Sequence, residues 1–156
     1  MDESNALQPE ARITSRLIDS LYTEAMLLAD EARSYFDEAG RDDRGTLEPF
    51  VRVGFACESL KVTTRLMHVI AWLLTQRAVP AGERTHGQRG EEDPPLGRAP
   101  ASDETLLVRL PQAAADLIRA SEELYERLRR HDEGSFGDGP PGSPARSLLS
   151  RLERSL

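Results

Sequence analysis

Residues 46–79 have the sequence TLEPFVRVGFACESLKVTTRLMHVIAWLLTQRAV, the longest stretch without a helix-breaking pair after its first turn. The stretch predicts one long helix with Thr46 as its N-cap. Pro49 is tolerated in the first turn, because an N–H there would have no helical partner. Such a helix would be on the order of 50 Å long. Within the run 66–74 only His68 is polar, so apolar side chains surround the helix. We therefore expect two further helices and a second copy of the chain to cover it.

Two other segments have apolar residues at helical spacing. One covers residues 11–38, and the other covers residues 111–130, where Pro111 fits the first helical position. The connection at residues 41–45 is short and polar, which favours antiparallel packing of the first two helices. The sequence therefore predicts an all-α protein, an antiparallel three-helix bundle with helices at about 11–38, 46–79 and 111–130.

Segments rich in proline, glycine and charge lie between and beyond these helices. Residues 80–101 have no apolar period, which predicts a long mobile loop, and residues 102–110 leave room for one helical turn. Residues 1–10 predict a flexible lead before a bundle at 11–131, and residues 132–156 predict a disordered C-terminal tail. The tail ends in a short amphipathic segment of leucine and arginine, a pattern typical of peptides that fold on a partner. Its apolar face is formed by Leu148, Leu149, Leu152 and Leu156.

The composition narrows the range of functions. The chain has 156 residues, of which 38% are hydrophobic, which indicates one domain with a small core. The net charge of -7 argues against direct nucleic-acid binding, which needs a basic surface. Cys57 is the only cysteine, so no intrachain disulfide can form and a reducing compartment is expected. The N-terminus has no signal-peptide pattern, and the apolar run is shorter than the roughly 20 residues of a membrane span. We expect a cytoplasmic protein without stable membrane insertion.

The sequence contains no phosphate loop, dinucleotide fingerprint, nucleophile elbow or pair of metal-binding cysteines. His68 is flanked by apolar residues, which favours a packed or interfacial histidine over a phosphate carrier. Glu83 and His86 match the Glu-x-x-His pair of di-iron bundles, but a metal site requires two such pairs on helices. The prediction is therefore that the protein has no catalytic residue, cofactor or metal, and that Cys57 is a small buried packing residue.

Two groups of residues in the long helix are candidates for interactions. Glu58, Lys61 and Arg65 have the spacing i, i+3, i+7, which predicts either a solvated face or a docking strip for a partner. The second group is expected to form the core or the contact between two copies in a homodimer. Its members are Met67, Val69, Ile70, Trp72 and Leu73.

Three blocks of the sequence resemble a known family. The most specific block lies at residues 58–83 and has the sequence ESLKVTTRLMHVIAWLLTQRAVPAGE. The others are YTEAMLLADEARSYFDEAGRDD at residues 22–43 and LPQAAADLIRASEELYERLRR at residues 110–130. Together they cover the predicted bundle, and they resemble the alphaproteobacterial RcdA family, the regulators of CtrA degradation.

The resemblance implies a self-associating three-helix bundle that acts as an adaptor of the ClpXP protease and has no catalytic residues. The implied partners are a ClpX unfoldase primed by CpdR and CtrA-type transcription regulators as cargo, delivered directly or through PopA. The resemblance also leaves open that the protein is recruited from the cytoplasm to a cell pole. Two alternatives stay open. One is histidine phosphotransfer through His68, and the other is a structural dimerisation or membrane-surface module whose tail lies on anionic lipid.

Overall fold

The computed structural model describes residues 8–78 and 95–134, with side chains at 15–78 and 95–132. In these ranges there are five helices and no strand, which confirms the all-α bundle. The helices are α1 (Gln8–Asp37), α2 (Ala39–Gly45), α3 (Pro49–Ala78), α4 (Glu104–Leu107) and α5 (Gln112–Gly134). The predicted flexible lead and tail and the first part of the 80–101 loop lie largely outside the described residues. No helix in the described part has the length and hydropathy needed to span a membrane.

The helices α1 and α3 run in opposite directions, as predicted. Near the end of α1, the ring of Phe36 packs edge-on against Phe55 near the start of α3, with ring centroids 5.5 Å apart. At the other end of the pair, Arg77 Nε lies 3.2 Å from Asp19 Oδ1. Early residues of one helix thus meet late residues of the other.

The third long helix, α5, runs parallel to α3, which differs from the antiparallel arrangement expected. Arg65 Nη1 donates to Ser121 Oγ at 3.1 Å, and further along both helices Trp72 Nε1 donates to Asp132 Oδ1 at 3.1 Å. Residue numbers therefore rise together on the two helices. The physical reason is the long connection between them, which returns the chain to the starting end of α3 before α5 begins.

The core consists mainly of aliphatic side chains from the three long helices, and a fully buried large one contributes about 1.5–3 kcal/mol. The predicted apolar stripe of the last helix is confirmed. Its buried members are Ala114, Leu117, Ile118, Ser121, Leu124 and Leu128. In α1 the buried members are Ile18, Leu21, Ala25 and Ala32.

The corner between α1 and α3 differs from the prediction in detail. The connection expected at residues 41–45 is part of the short helix α2. Thr46 does not cap α3 but ends α2, because its hydroxyl donates to the carbonyl oxygen of Asp43 at 2.7 Å. The predicted helical turn within 102–110 is present as α4, whose Leu106 packs against Gly54 of α3. A Cβ at Gly54 would lie 2.6 Å from Leu106, which gives a packing reason for this glycine inside a helix.

Candidate functional site

A non-helical segment, residues 95–103, lies between α3 and α5 and is called the strap below. It begins beside Asp132 and ends beside Glu58. Trp72 also contacts Asp132, so the strap follows α3 from the level of Trp72 back to Glu58, about 21 Å of helix. The seven Cα–Cα steps from Leu96 to Asp103 cover that distance only when the chain is close to fully extended. The strap is therefore an extended segment antiparallel to α3.

Two side chains of α5 hold the first half of the strap. Asp132 is 8% exposed and accepts a hydrogen bond from the backbone N–H of Leu96, with an N–Oδ2 distance of 3.3 Å. The Tyr125 hydroxyl donates to the carbonyl oxygen of Gly97 at 2.7 Å and accepts from the N–H of Ala99 at 3.2 Å. Residues 95–101 of the predicted mobile loop are thus fastened to the bundle, and that prediction needs correction for them. The cause is side chains on α3 and α5, which the composition of the loop cannot indicate.

Arg65 holds the second half of the strap from α3. The side chain is 1% exposed, and its Nη2 donates to the carbonyl oxygen of Pro100 at 2.9 Å and to Ser102 Oγ at 2.6 Å. Its Nη1 donates to Ser121 Oγ on α5. Burial lowers the pKa of the Arg65 guanidinium, and the carboxylate of Glu122, 4.0 Å away, acts in the opposite direction. Arginine keeps its proton in proteins, so a charged group joins α3, α5 and the strap.

Glu58 is the acidic partner in the same cluster and is also 1% exposed. It accepts hydrogen bonds from the Ser102 hydroxyl, from Lys61 Nζ at 2.9 Å and from the N–H of Asp103 at 3.5 Å. Lys61 Nζ also donates to the carbonyl oxygen of Ala101 at 3.1 Å. Each charge in the cluster therefore has polar partners within the chain, as burial of an ionised group requires.

The interpretation of Glu58, Lys61 and Arg65 as a solvent-facing strip needs correction. Glu58 and Arg65 face the strap, and only the side chain of Lys61 keeps partial exposure, 26%. Their partners in the strap are more than 30 residues away in sequence, so helical spacing alone could not indicate burial. Use of these three side chains by another protein stays a prediction.

The residues predicted as core or dimer contacts separate into two groups. Val69 and Leu73 have no exposed surface and Trp72 is 7% exposed, so these three belong to the core. Ile70 is partly buried at the edge of the core. Met67 is 64% exposed on the outside of the bundle. A contact between copies through this set stays a prediction, and only Met67 offers substantial free surface for it.

The outer face of α3 carries a row of exposed apolar side chains that the sequence analysis missed. Two series with a spacing of seven residues alternate along it, which is the a and d pattern of a coiled-coil helix. One series contains Val53, Leu60, Met67 and Leu74. The other contains Phe50, Cys57, Ala71 and Ala78 and is interrupted at position 64 by the half-buried, polar Thr64. These eight residues are called the outer seam below. The spacing of three and four residues over 50–78, broken only at Thr64, was the signal that could have revealed it.

Cys57 belongs to the outer seam and is exposed, so its prediction as a buried packing residue is wrong. His68, by contrast, is partly buried, and its Nδ1 is buried without a hydrogen-bond partner in the described part of the chain. The ring lies against the strap at Gly97, where an added Cβ would come within 2.8 Å of it. This geometry agrees with a packed histidine.

No group of three or more histidine, cysteine, aspartate or glutamate side chains in the described ranges is placed to bind a metal ion. Glu83 and His86, the single match to a di-iron pair, lie outside those ranges. The described part of the chain therefore has two candidate interaction surfaces on α3. One is a polar groove filled by the strap, and the other is the outer seam on the opposite face of the helix.

Comparison with known proteins agrees with this architecture. The profile of the family described as "Protein of unknown function (DUF1465)" matches residues 9–156. The crystal structure of RcdA from Caulobacter crescentus CB15 is similar, with 35% sequence identity and a TM-score of 0.56, and the match covers 76% of this chain and 90% of that one. No curated protein matches. Because the profile match covers nearly the whole chain and a solved relative is 35% identical, this chain belongs to the DUF1465 family, the family of RcdA.

Proposed function

We propose that this protein is a non-catalytic adaptor that delivers transcription regulators of the cell cycle to the ClpXP protease. The observation that carries the proposal is the 35% identity with RcdA over 76% of the chain. The resemblance described above implies this activity for the family. The adaptor would act on a ClpX unfoldase primed by CpdR, and its cargo would be CtrA-type regulators bound directly or through PopA.

The physical requirements of an adaptor are modest. It must hold cargo and protease at the same time, so that cargo reaches the unfoldase at a raised local concentration. Separate binding surfaces are sufficient for this, and no catalytic group is needed. One candidate surface for such binding is the groove side of α3, a helix of 30 residues. We assign contact with the protease or with another adaptor copy to the tail leucines Leu148, Leu149, Leu152 and Leu156.

We also propose that the protein is a homodimer and that the outer seam is the contact. Phe50, Leu60 and Met67 are 79%, 68% and 64% exposed, and several large apolar side chains on one face of a helix are uncommon on a free surface. A heptad pattern is suited to packing against another helix of the same kind. A second copy supplies such a helix, and the paired seams would be removed from water together.

Reconstituted proteolysis tests the adaptor function. ClpXP, CpdR and a candidate cargo regulator are mixed with and without this protein, and cargo loss is followed over time. We expect faster loss only when both CpdR and this protein are present. A matched variant lacking residues 135–156 tests the tail and should lose part of the acceleration. If several cargo regulators are degraded no faster with the protein than without it, the adaptor proposal is wrong.

The alternatives have less support. Phosphotransfer needs an accessible imidazole, whereas His68 is partly buried beside Gly97. We expect no acid-labile phosphate on His68 after incubation with a phosphorylated response regulator. A membrane-surface role predicts co-sedimentation with anionic liposomes, and we expect none, because the net charge of -7 opposes binding to an anionic surface.

A further inference from the structure

We propose that the groove between α3 and α5 is a binding site for an extended peptide segment of a cargo protein, and that the strap occupies this site in cis. The proposal deepens the adaptor function and rests on it for the identity of the partner. The strap shows which chemistry the groove accepts. It is an extended chain with an apolar side chain near one end and a serine six residues further on.

The groove binds the strap mainly through atoms that every peptide has. Backbone N–H or carbonyl groups of the strap bond to five groove side chains, at distances between 2.7 and 3.5 Å. The five are Glu58, Lys61, Arg65, Tyr125 and Asp132. Recognition of main-chain groups supplies affinity that is largely independent of sequence, as in other proteins that bind extended peptides. Another segment in the same register could therefore replace the strap.

Three positions of the strap add selectivity. Leu96 is 8% exposed and supplies an apolar anchor. Gly97 fits against the ring of His68, where a Cβ would lie only 2.8 Å from the ring. Ser102 lies between Glu58 and Arg65, donating to the first and accepting from the second. The matching partner is an unfolded segment with leucine, then glycine, then serine five residues after the glycine.

The charges of Glu58 and Arg65 in the groove favour reversible binding over permanent occupation by one segment. A permanently covered groove lined with apolar side chains would be at least as stable as one containing Glu58 and Arg65, because burial of charges costs solvation energy. Charged groups become hydrated when the occupant leaves, whereas an apolar groove would then be exposed to water at a cost. The strap is joined to the bundle and competes at high effective concentration, so an external peptide binds with reduced apparent affinity.

The test uses the full-length protein and a fluorescent synthetic peptide with the sequence of residues 93–105, DPPLGRAPASDET. Binding is measured by fluorescence anisotropy. In the double variant Leu96→Ala/Ser102→Ala the strap is weakened while the groove is unchanged, and we expect the peptide to bind at least about tenfold more tightly than to the wild type. Tyr125→Phe in the same background should reverse the gain, because it removes two bonds to the bound peptide. Peptides with alanine at the leucine or serine position should bind about tenfold more weakly.

Equal affinity of the folded double variant and the wild type would overturn the proposal. Loss of the helical circular dichroism signal would show that the double variant does not fold. In that case, amide hydrogen exchange of the wild-type protein tests the proposal. Excess peptide should then speed exchange of the Leu96 and Ala99 amides, and unchanged exchange would overturn the proposal. The degradation assay separates the two hypotheses. Acceleration of cargo loss without peptide binding would refute the groove alone, and peptide binding without acceleration would refute the adaptor function alone.

Discussion

On the face of α3 that meets the strap, Glu58 and Arg65 are each 1% exposed. On the opposite face, Val53, Leu60 and Met67 are between 63% and 68% exposed. Besides its apolar core residues, the helix thus buries two charges, and it exposes apolar groups on its outer side, which a simple amphipathic surface helix does not do. The available partners, and not polarity alone, therefore decide which side chains α3 buries. The strap satisfies the buried charges, and the exposed row is consistent with a partner from another chain.

The largest effect is expected from a charge placed between these faces, in the core. Val69→Asp should lower the free energy of unfolding by more than about 4 kcal/mol, because Val69 has no exposed surface and the carboxylate would have no partner. Urea denaturation followed by circular dichroism measures the loss. The matched control is Met67→Asp, two residues away and 64% exposed, which should leave the protomer folded. Similar behaviour of both variants would contradict the division into a buried and an exposed face.

Removing the buried cation should have the next largest effect. Arg65→Met leaves Glu58 in the groove without its arginine and removes two bonds to the strap, so we expect a loss of about 3–5 kcal/mol in the free energy of unfolding. Arg109→Met is the control. Its ion pair with Glu48, 3.3 Å long, is solvent-exposed on both sides and contributes at most about 1 kcal/mol. Equal losses in the two variants would show that the buried cluster stabilises the fold no more than a surface pair.

A charge on the outer seam should act on association alone. Leu60→Lys should weaken the proposed dimer by about 2–4 kcal/mol, which is roughly 30- to 1000-fold in the dissociation constant. Sedimentation velocity at several concentrations measures this change. Leu27→Lys on α1 has a similar starting exposure, 66%, but lies outside the seam and should leave the molar mass unchanged. A wild-type monomer, or a Leu60→Lys variant that associates as the wild type does, would contradict the assignment of the seam.

The smallest effect is expected from a single hydrogen bond outside α3. Its contribution to the free energy of unfolding can be compared with that of the charged cluster in the groove. Tyr35 Oη donates to Asp43 Oδ2 at 2.8 Å, and burial together with this carboxylate raises the pKa of Tyr35 above its ordinary value of 10.0. The folded state therefore holds the phenol proton more tightly than the unfolded state does. The stabilisation is complete below pH 10.0 and is lost as the pH rises beyond it.

Tyr35→Phe should accordingly cost about 0.5–1.5 kcal/mol at neutral pH. The difference between the wild type and the variant should shrink above pH 10.0. Urea denaturation at a series of pH values from neutral to alkaline measures both quantities. A difference that stays constant over the whole range would show that the hydrogen bond does not control the ionisation of Tyr35.

Much of the fold could be predicted because helices leave a local signal. The apolar spacing over residues 111–130 predicted the buried stripe of α5, and the apolar run 66–74 indicated burial on several sides. Less of the candidate site could be predicted from the sequence. Glu58 and Arg65 were identified as candidates for interactions, but the prediction placed them on the surface. Their helical spacing could not reveal the partners that bury them, because those partners lie in the strap. The outer seam was missed although its heptad spacing is visible in the sequence, because the interpretation followed total apolar density and not its period.

The positions of the three long helices and the small aliphatic core were set by the sequence alone, since backbone hydrogen bonds within a helix and the spacing of its apolar residues are local properties. Tertiary structure decided the direction of α5, the extended path of residues 95–103 and the burial of Glu58 and Arg65. A segment rich in proline and glycine has the same local preferences whether it is free or bound. Its conformation therefore depends on hydrogen bonds to Asp132, Tyr125 and the charged cluster, which exist only after α3 and α5 have packed side by side.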